Sequence, residues 1–169
     1  MAIQLETLSA AARRMTKTAS RTLREARQEG LRTLFLCHSH LDAEYVSGFI
    51  TLLDDHNWRV YVDWRDNTMP ETPNAETARM IRQKIRDLDY FAFLATPNSA
   101  TSRWCPWEIG FADGVKNHDQ ILIVPTADRS GHGYGSEYLQ LYRHVDLTQN
   151  QTLGVWQPNV NEGVRLNSL

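Results

Sequence analysis

Short apolar runs separated by stretches of helical period constrain this chain more than any other feature. Leu34-Phe35-Leu36-Cys37 is continuously apolar, as in a strand covered on both faces. Trp58, Val60 and Val62 alternate with Arg59 and Tyr61. Tyr90 to Ala95 and Ile121 to Val124 give two more strands, the last ended by Pro125, and His144 to Leu147 adds a fifth strand at an edge. Between them lie helical patterns. Asp42 is placed to cap Tyr45, Val46, Phe49, Ile50 and Leu53, and a second helix turns Ala78, Ile81, Ile85 and Leu88 inward with Arg79, Arg82, Lys84 and Arg86 outside. Strand and helix alternate at βαβ spacing. The prediction is an α/β fold: a doubly wound, parallel, five-stranded sheet with helices on both faces and right-handed crossovers. A ligand is expected over the carboxyl ends of the strands, which carry His38–Asp42, Asp63–Asp66, Thr96–Ser102 and Pro125–Asp128.

The third helix of the pattern carries the sharpest signal. Pro106 suits a first helical position, where its missing N–H is not needed. Cys105, before a proline, is biased away from helix. The helix therefore starts near Pro106 and Glu108 falls in its first turn. Helical spacing puts Trp104, Trp107 or Glu108, Phe111, Ala112 and Val115 along the side expected to face the protein. A first-turn glutamate is favoured by the helix dipole on its own account. What sets Glu108 apart is its company of large aromatic side chains and a preceding Ser/Thr/Asn-rich stretch at the end of a strand.

The rest of the chain narrows the classes. Its 169 residues make one domain with tails, and a net charge of −2 argues against a dedicated nucleic-acid binder. Two cysteines, Cys37 and Cys105, make neither a disulfide framework nor a zinc site, and no metal site is expected. No apolar run approaches the roughly 20 residues that span a bilayer, and no secretory apolar region follows the start. A cytoplasmic protein without membrane partners is the expectation. Residues 1–30 carry Leu5, Leu8, Ala12, Met15, Ala19, Leu23 and Ala26 at mostly helical spacing among six arginines and lysines, which predicts a basic amphipathic helix stopped at Gly30. A domain over 31–150 follows. The polar segment 151–169 is expected to run along the surface or fray.

With these residues in hand, the chain resembles the TIR (Toll/interleukin-1 receptor) domains, and among them the free-standing bacterial enzymes of anti-phage, Thoeris-like defence. Phe35-Leu36-Cys37-His38-Ser39-His40-Leu41-Asp42 resembles the family's first-strand motif, often F-I-S-[YH]-x-x-x-D. Val60-Tyr61-Val62-Asp63 and the following loop resemble its second strand and BB loop, and Phe91 to Ser99 its third strand. Ser102-Arg103-Trp104-Cys105-Pro106-Trp107-Glu108 resembles S-x-W-C-x-x-E, the most specific of the four. Departures are Cys37 and His40 where serine is common, and Glu71 after Pro70 where glycine is usual.

The resemblance implies a flavodoxin-like fold and an NAD+ nucleosidase or ADP-ribosyl cyclase. Glu108 would be the catalytic residue, and NAD+ the substrate rather than a cofactor, with no other cofactor needed. It also implies that His38, Ser39, Asp63, Trp64, Ser102, Trp104 and Cys105 lie around the substrate. The physics of one carboxylate is sound. Glycosidases need a second carboxyl to protonate a leaving oxygen. The nicotinamide of NAD+ leaves a cationic nitrogen as a neutral molecule, so no acid is required. Trp104 is suited to stack on a flat ring or to pack in the core. Asp63 is suited to a ribose hydroxyl or to its own loop. His38 and Ser39 either line a nicotinamide pocket or satisfy local backbone. Cys105 reads as a small packing residue rather than a nucleophile.

The alternative is a non-catalytic adaptor or scaffold acting through TIR–TIR contacts. The resemblance further implies self-association, with the BB loop completing a neighbour's site, and a product that acts on a separate effector. A phosphoacceptor receiver domain shares the topology but needs an aspartate ending strand three and a lysine after strand five. Here strand three ends Ala95-Thr96-Pro97 and no lysine follows Lys116, so it is excluded. A nucleoside deoxyribosyltransferase-like enzyme uses a similar glutamate and stays a minor alternative.

Overall fold

The computed structural model of the chain describes residues 2–14, 23–70, 72–135, 137–160 and 163–169. In order it runs β1 (Ile3–Gln4), α1 (Leu5–Arg13), α2 (Leu23–Gln28), β2 (Arg32–Cys37), α3 (Ala43–Asp54), β3 (Trp58–Tyr61), α4 (Ala75–Asp87), β4 (Tyr90–Ala95), α5 (Pro97–Thr101), α6 (Cys105–Val115), β5 (Ile121–Ala127), β6 (Gly133–Tyr134), β7 (Arg143–Leu147), β8 (Leu153–Trp156) and β9 (Gly163–Arg165). The sheet order is β3-β2-β4-β5-β7-β8-β9. Neighbours from β3 to β7 pair parallel, and β7-β8-β9 pair antiparallel. The predicted flavodoxin-like parallel sheet of five strands is present, extended by antiparallel strands. Among the described residues, no helix is long and apolar enough to cross a membrane.

Strand alternation sends neighbouring residues to opposite faces. On one face Leu34, Leu36, Ala92, Leu94, Leu122 and Val124 pack with Val46, Phe49 and Leu53 of α3 and Leu8 and Ala11 of α1. On the other, Phe35, Cys37, Phe91, Phe93, Ile121 and Ile123 pack with Ile81 and Ile85 of α4 and Cys105, Ile109 and Ala112 of α6. The chain leaves β2 outward to β3 and returns past it to β4. That reversal opens the sheet's carboxyl edge between β2 and β4, where ligands of such sheets bind.

Four sequence expectations change. β7 is not an edge strand, because β8 pairs along its whole length, from His144 opposite Trp156 to Leu147 opposite Leu153. The C-terminal segment does not merely line the surface: Leu153, Val155 and Leu166 are core residues, three inward apolar side chains in a stretch whose polar composition hides them. β5 does not stop at Pro125. It pairs with β4 up to Ala95 opposite Pro125, then Thr126 and Ala127 take β1 and β6 as new neighbours, so the proline stands where the ladder changes partners. The N-terminal helix is present but ends at Arg13, with a separate α2 before Gly30 in the left-handed conformation at φ +69°. Met15 and Ala19 of that expectation lie outside the described residues, as does Glu71.

α1 lies against α3 at Gly48. A Cβ there would stand 1.9 Å from the Leu8 carbonyl oxygen. Gly48→Ala should therefore lower stability by about 1–3 kcal/mol through overpacking. Gly110→Ala, in a helix with nothing within 4 Å of the added carbon, should be neutral or stabilising. Thermal melts of the two variants check the pair, and equal losses would refute the helix contact.

Candidate functional site

The site begins with a capping problem. α6 has free N–H groups at its start, and Trp104 at the cap position makes no side-chain cap bond. Ser102 supplies the acceptor: Trp104 N–H and Cys105 N–H donate to its Oγ at 3.2 and 3.3 Å. The first helical bond then runs from Glu108 N–H to Trp104 C=O at 2.9 Å, which places Glu108 in the first turn as expected.

The inward face differs from the predicted one by a rotation of about one residue. Cys105, Glu108, Ile109 and Ala112 are buried. Trp107 and Val115 are exposed, and Trp104 is half-buried against the α4–α6 core. The aromatics form their own ladder on the outer side. Trp104 meets Trp107 edge-on at 5.5 Å between centroids, Trp107 lies nearly parallel to Phe111 at 6.2 Å, and the Arg86 guanidinium sits over Phe111.

Glu108 is only 5% exposed. Burial pushes its carboxyl up to about 8; a hydrogen bond with the Cys37 thiol opposes this, while Cys105 and Asp63 add to it. Cys37 ends β2, and its Sγ lies 3.8 Å from the Cys105 carbonyl oxygen. Burial also raises the Cys37 thiol, whereas hydrogen bonding with Cys37 brings Cys105 below the ordinary thiol range. Cys105 is fully buried, as a packing residue would be. The carboxyl thus belongs to a turn that Cys37 meets at the seam between sheet and helix.

The ends of β2 and β3 converge beside it. His38 Nδ1 lies 2.8 Å from Leu36 C=O, so this nitrogen carries the proton, and Nε2 faces Asp63 Oδ1 at 3.7 Å. Asp63 Oδ1 accepts from Trp64 N–H at 2.8 Å. Trp64 is 46% exposed, meets the His38 ring edge-on and carries the Arg65 guanidinium over its own ring. Glu108, His38, Asp63 and Trp64 are therefore brought to one edge. Ser39 and Ser102 are engaged with backbone, Ser39 accepting from Leu41 N–H at 3.4 Å.

Two residues support this edge in ways the sequence did not indicate. Asp42 is buried and ties the strand ends together: Thr96 Oγ1 donates to it at 2.5 Å and Asn98 Nδ2 at 2.6 Å, while its expected helix-cap bond is not made. Asp66 anchors the loop after β3. It accepts from Tyr61 O–H at 2.8 Å and Thr68 N–H at 3.0 Å, with Lys84 Nζ at 3.3 Å. Burial opposes its ionisation, but these donors bring it to about 2. The sequence signal for Cys37 was the strand alternation itself, which puts residues 35 and 37 on the α6 side.

Comparison with known proteins agrees with the fold. A TIR domain family model matches residues 34–157. The chain is also similar to a protein of Bacillus cereus (strain MSX-D12) named "Probable 3' cyclic ADP-D-ribose synthase ThsB'", at 34% identity over 114 residues. The match takes in 66% of this chain and 59% of that protein's length.

A buried carboxyl with a raised pKa makes stability fall with pH. Below about 4.5 the folded and unfolded chains both hold the proton. Between there and about 8 only the folded chain does, so stability drops by about 1.4 kcal/mol per pH unit and levels off above. Glu108→Gln should remove that slope. The variant should gain on the native protein as pH rises from 5 to 9, by several kcal/mol (order of magnitude). Denaturant melts across that range check it, and a constant difference would show that Glu108 ionises freely.

Proposed function

Because the chain belongs to the TIR domain family, we propose that it cleaves the bond between nicotinamide and ribose in NAD+, and that Glu108 is the residue that does so. The product is ADP-ribose or a cyclic ADP-ribose-type signal that acts on a separate effector in bacterial anti-phage defence. The observation that carries the reading is a buried carboxyl in the first turn of α6, set at the sheet edge beside the ends of β2 and β3. The name of the Bacillus cereus relative supports the same chemistry.

The C1′–N bond breaks with its electron pair going to the ring nitrogen, so nicotinamide leaves neutral and the ribose becomes oxocarbenium-like. An ionised Glu108 stabilises that charge and holds the ribose hydroxyls, a preorganised electrostatic role. Water or a ribose hydroxyl then attacks C1′ and gives up its proton to solvent, or an adenine ring nitrogen attacks with its lone pair and the positive charge passes to the adenine. Trp64 is the more open of the two expected aromatic contacts and suits a stacking platform at the entrance. Trp104, half-buried and edge-on to Trp107 in the outer ladder, is the less open of the two. Asp63 suits a ribose hydroxyl.

Incubation of the purified chain with NAD+, followed by mass spectrometry of the products, tests the reading. Glu108→Gln should lose turnover on the order of 100–1,000-fold while folding normally. The native kcat/KM should rise with pH toward a midpoint near 8, the free protein's carboxyl. The kcat profile should lie lower, because bound substrate brings a cation. No NAD+ loss from the native protein, or native turnover in the variant, would refute the proposal.

Self-association completes the reading. The loop beyond Asp66 is anchored at its first residue and exposed at Asn67, Thr68, Thr72, Pro73 and Asn74, and it suits contact with a second copy near that copy's site. Activity per molecule should then rise with protein concentration. Mixing Glu108→Gln chains with loop variants should restore some turnover. Flat specific activity down to nanomolar protein, with no rescue, would leave the loop a lid over its own site.

A further inference from the structure

We propose that Asp42 is a positioning residue for Glu108: from the start of α3 it holds the connection between β4 and α6 by hydrogen bonds, and through that connection it sets where the first turn of α6 places the carboxyl. The inference rests on the reading of Glu108 as the reactive group.

The connection runs from Thr96 to Arg103, and none of its residues belongs to either apolar cluster. Thr96 and Ser99 are each 1% exposed, while Ala100, Thr101 and Arg103 face outward. Its buried side chains are therefore polar, and such groups are held by hydrogen bonds.

Both Asp42 oxygens are taken up by this segment. Thr96 Oγ1 donates to Oδ2 at 2.5 Å, and Asn98 Nδ2 donates to Oδ1 at 2.6 Å. With its proton directed to Asp42, the Thr96 hydroxyl presents its lone pairs to Ser99 N–H, which donates to it at 3.0 Å. Thr96 N–H donates in turn to Ser99 Oγ at 2.8 Å, closing a reciprocal box at the start of α5. At the far end of α5, Ser102 N–H donates to Ser99 C=O at 3.2 Å. Ser102 Oγ receives the Trp104 and Cys105 N–H groups, and Glu108 N–H bonds back to Trp104 C=O. The route from Asp42 to the turn of Glu108 is continuous, and it joins helices that cover opposite faces of the sheet. Cys105, Ile109 and Ala112 anchor α6 independently, so a chain that loses the route still folds, with its first turn less closely placed. A shift of about 1 Å at a reacting group costs on the order of 100-fold in rate.

The test breaks the route at Thr96. Thr96→Val removes the hydroxyl and keeps the shape, and Thr96→Ser keeps the hydroxyl. In the purified chain with NAD+, valine should lower kcat on the order of 10–100-fold with KM little changed, and serine should return most of it. A methyl is crowded against Oδ2, so Thr96→Ala repeats the measurement without one. Asp42→Asn keeps one acceptor, turns an N–H2 group toward the second donor, and should lose kcat likewise. Combining Asp42→Asn with Thr96→Val should lose no more than the worse single change, because the two act in series. Gly48→Ala, destabilised away from the route, should keep the native kcat below its melting range. Unchanged kcat in the folded Thr96 variants, additive losses, or an equal loss in Gly48→Ala would overturn the proposal.

A second measurement does not depend on turnover. The N–H groups of Ser102, Trp104, Cys105 and Glu108 lie along the route. Their hydrogen exchange should be about 10-fold faster in Thr96→Val and Asp42→Asn and be restored by Thr96→Ser, with the amides of α4 unchanged. Unchanged exchange at all four would overturn the proposal. Faster exchange in a chain that leaves NAD+ intact overturns the enzymatic reading, and the link from Asp42 to the turn of Glu108 stands. Faster exchange with native kcat, in a chain that does cleave NAD+, overturns the positioning role alone.

Discussion

A parallel sheet has to be covered on both faces, and that requirement organises this chain. Alternation along β2, β4 and β5 produces two apolar sets that cannot share a cover. One set is large: it takes α3, then α1, and still recruits Leu153, Val155 and Leu166 from the far end of the chain. This explains why the N-terminal helix comes so close to α3 that no side chain fits at Gly48. The other set is covered by α4 and α6, with Leu139 and Tyr142 beside them, and it is there that a carboxyl interrupts the apolar seal.

Asp42 and Glu108 are buried carboxyls beside the ends of β2 and β4, and their surroundings divide the work between them. Asp42 receives a hydroxyl and an amide at short distances, which locks the turn after β4 to the start of α3. Its capacity is used in holding the fold. Glu108 is buried, with Cys105 and the Asp63 carboxylate opposing its ionisation further, so its charge is held weakly. Environments that separate similar groups in this way assign one to structure and leave the other available for chemistry. Ser102 contributes indirectly by capping the turn in which Glu108 stands.

Much of this was legible beforehand because it depends on local pattern. The run 34–37, the alternation at 58–62 and the 90–95 run report strands directly, and Pro106 marks the start of α6. What escaped depends on partners far away in the chain. His144–Val145-Asp146–Leu147 reads as an edge only until Leu153 to Trp156 is known to return beside it. Pro125 reads as a stop only if the neighbouring strand is assumed not to change. On α6 the aromatics at 104, 107 and 111 outweigh smaller residues in any apolar count. Yet Cys105, Ile109 and Ala112 are the ones that fit against the tightly packed sheet, and the wide rings stack on one another outside. The contact of Cys37 with the start of α6 was beyond local reading, since Cys37 and Cys105 are 68 positions apart in the chain.

In the proposed reaction the burial of Glu108 acts as a filter. Near neutral pH the free carboxyl is mostly protonated, and ionising it costs roughly 1.4 kcal/mol for each pH unit below its midpoint. A cationic nicotinamide ring arriving within about 4–5 Å interacts with the anion by about 3–4 kcal/mol at an effective dielectric of 20, enough to offset that cost. The charge on the protein then appears together with the charge it is meant to meet. As the bond breaks, positive charge moves from the departing ring to the ribose and the carboxylate remains beside it. An uncharged reduced ring supplies no such compensation. A carboxyl made difficult to ionise alone therefore favours the oxidised dinucleotide, a preference that an exposed glutamate, screened by water and ionised from the outset, would lack.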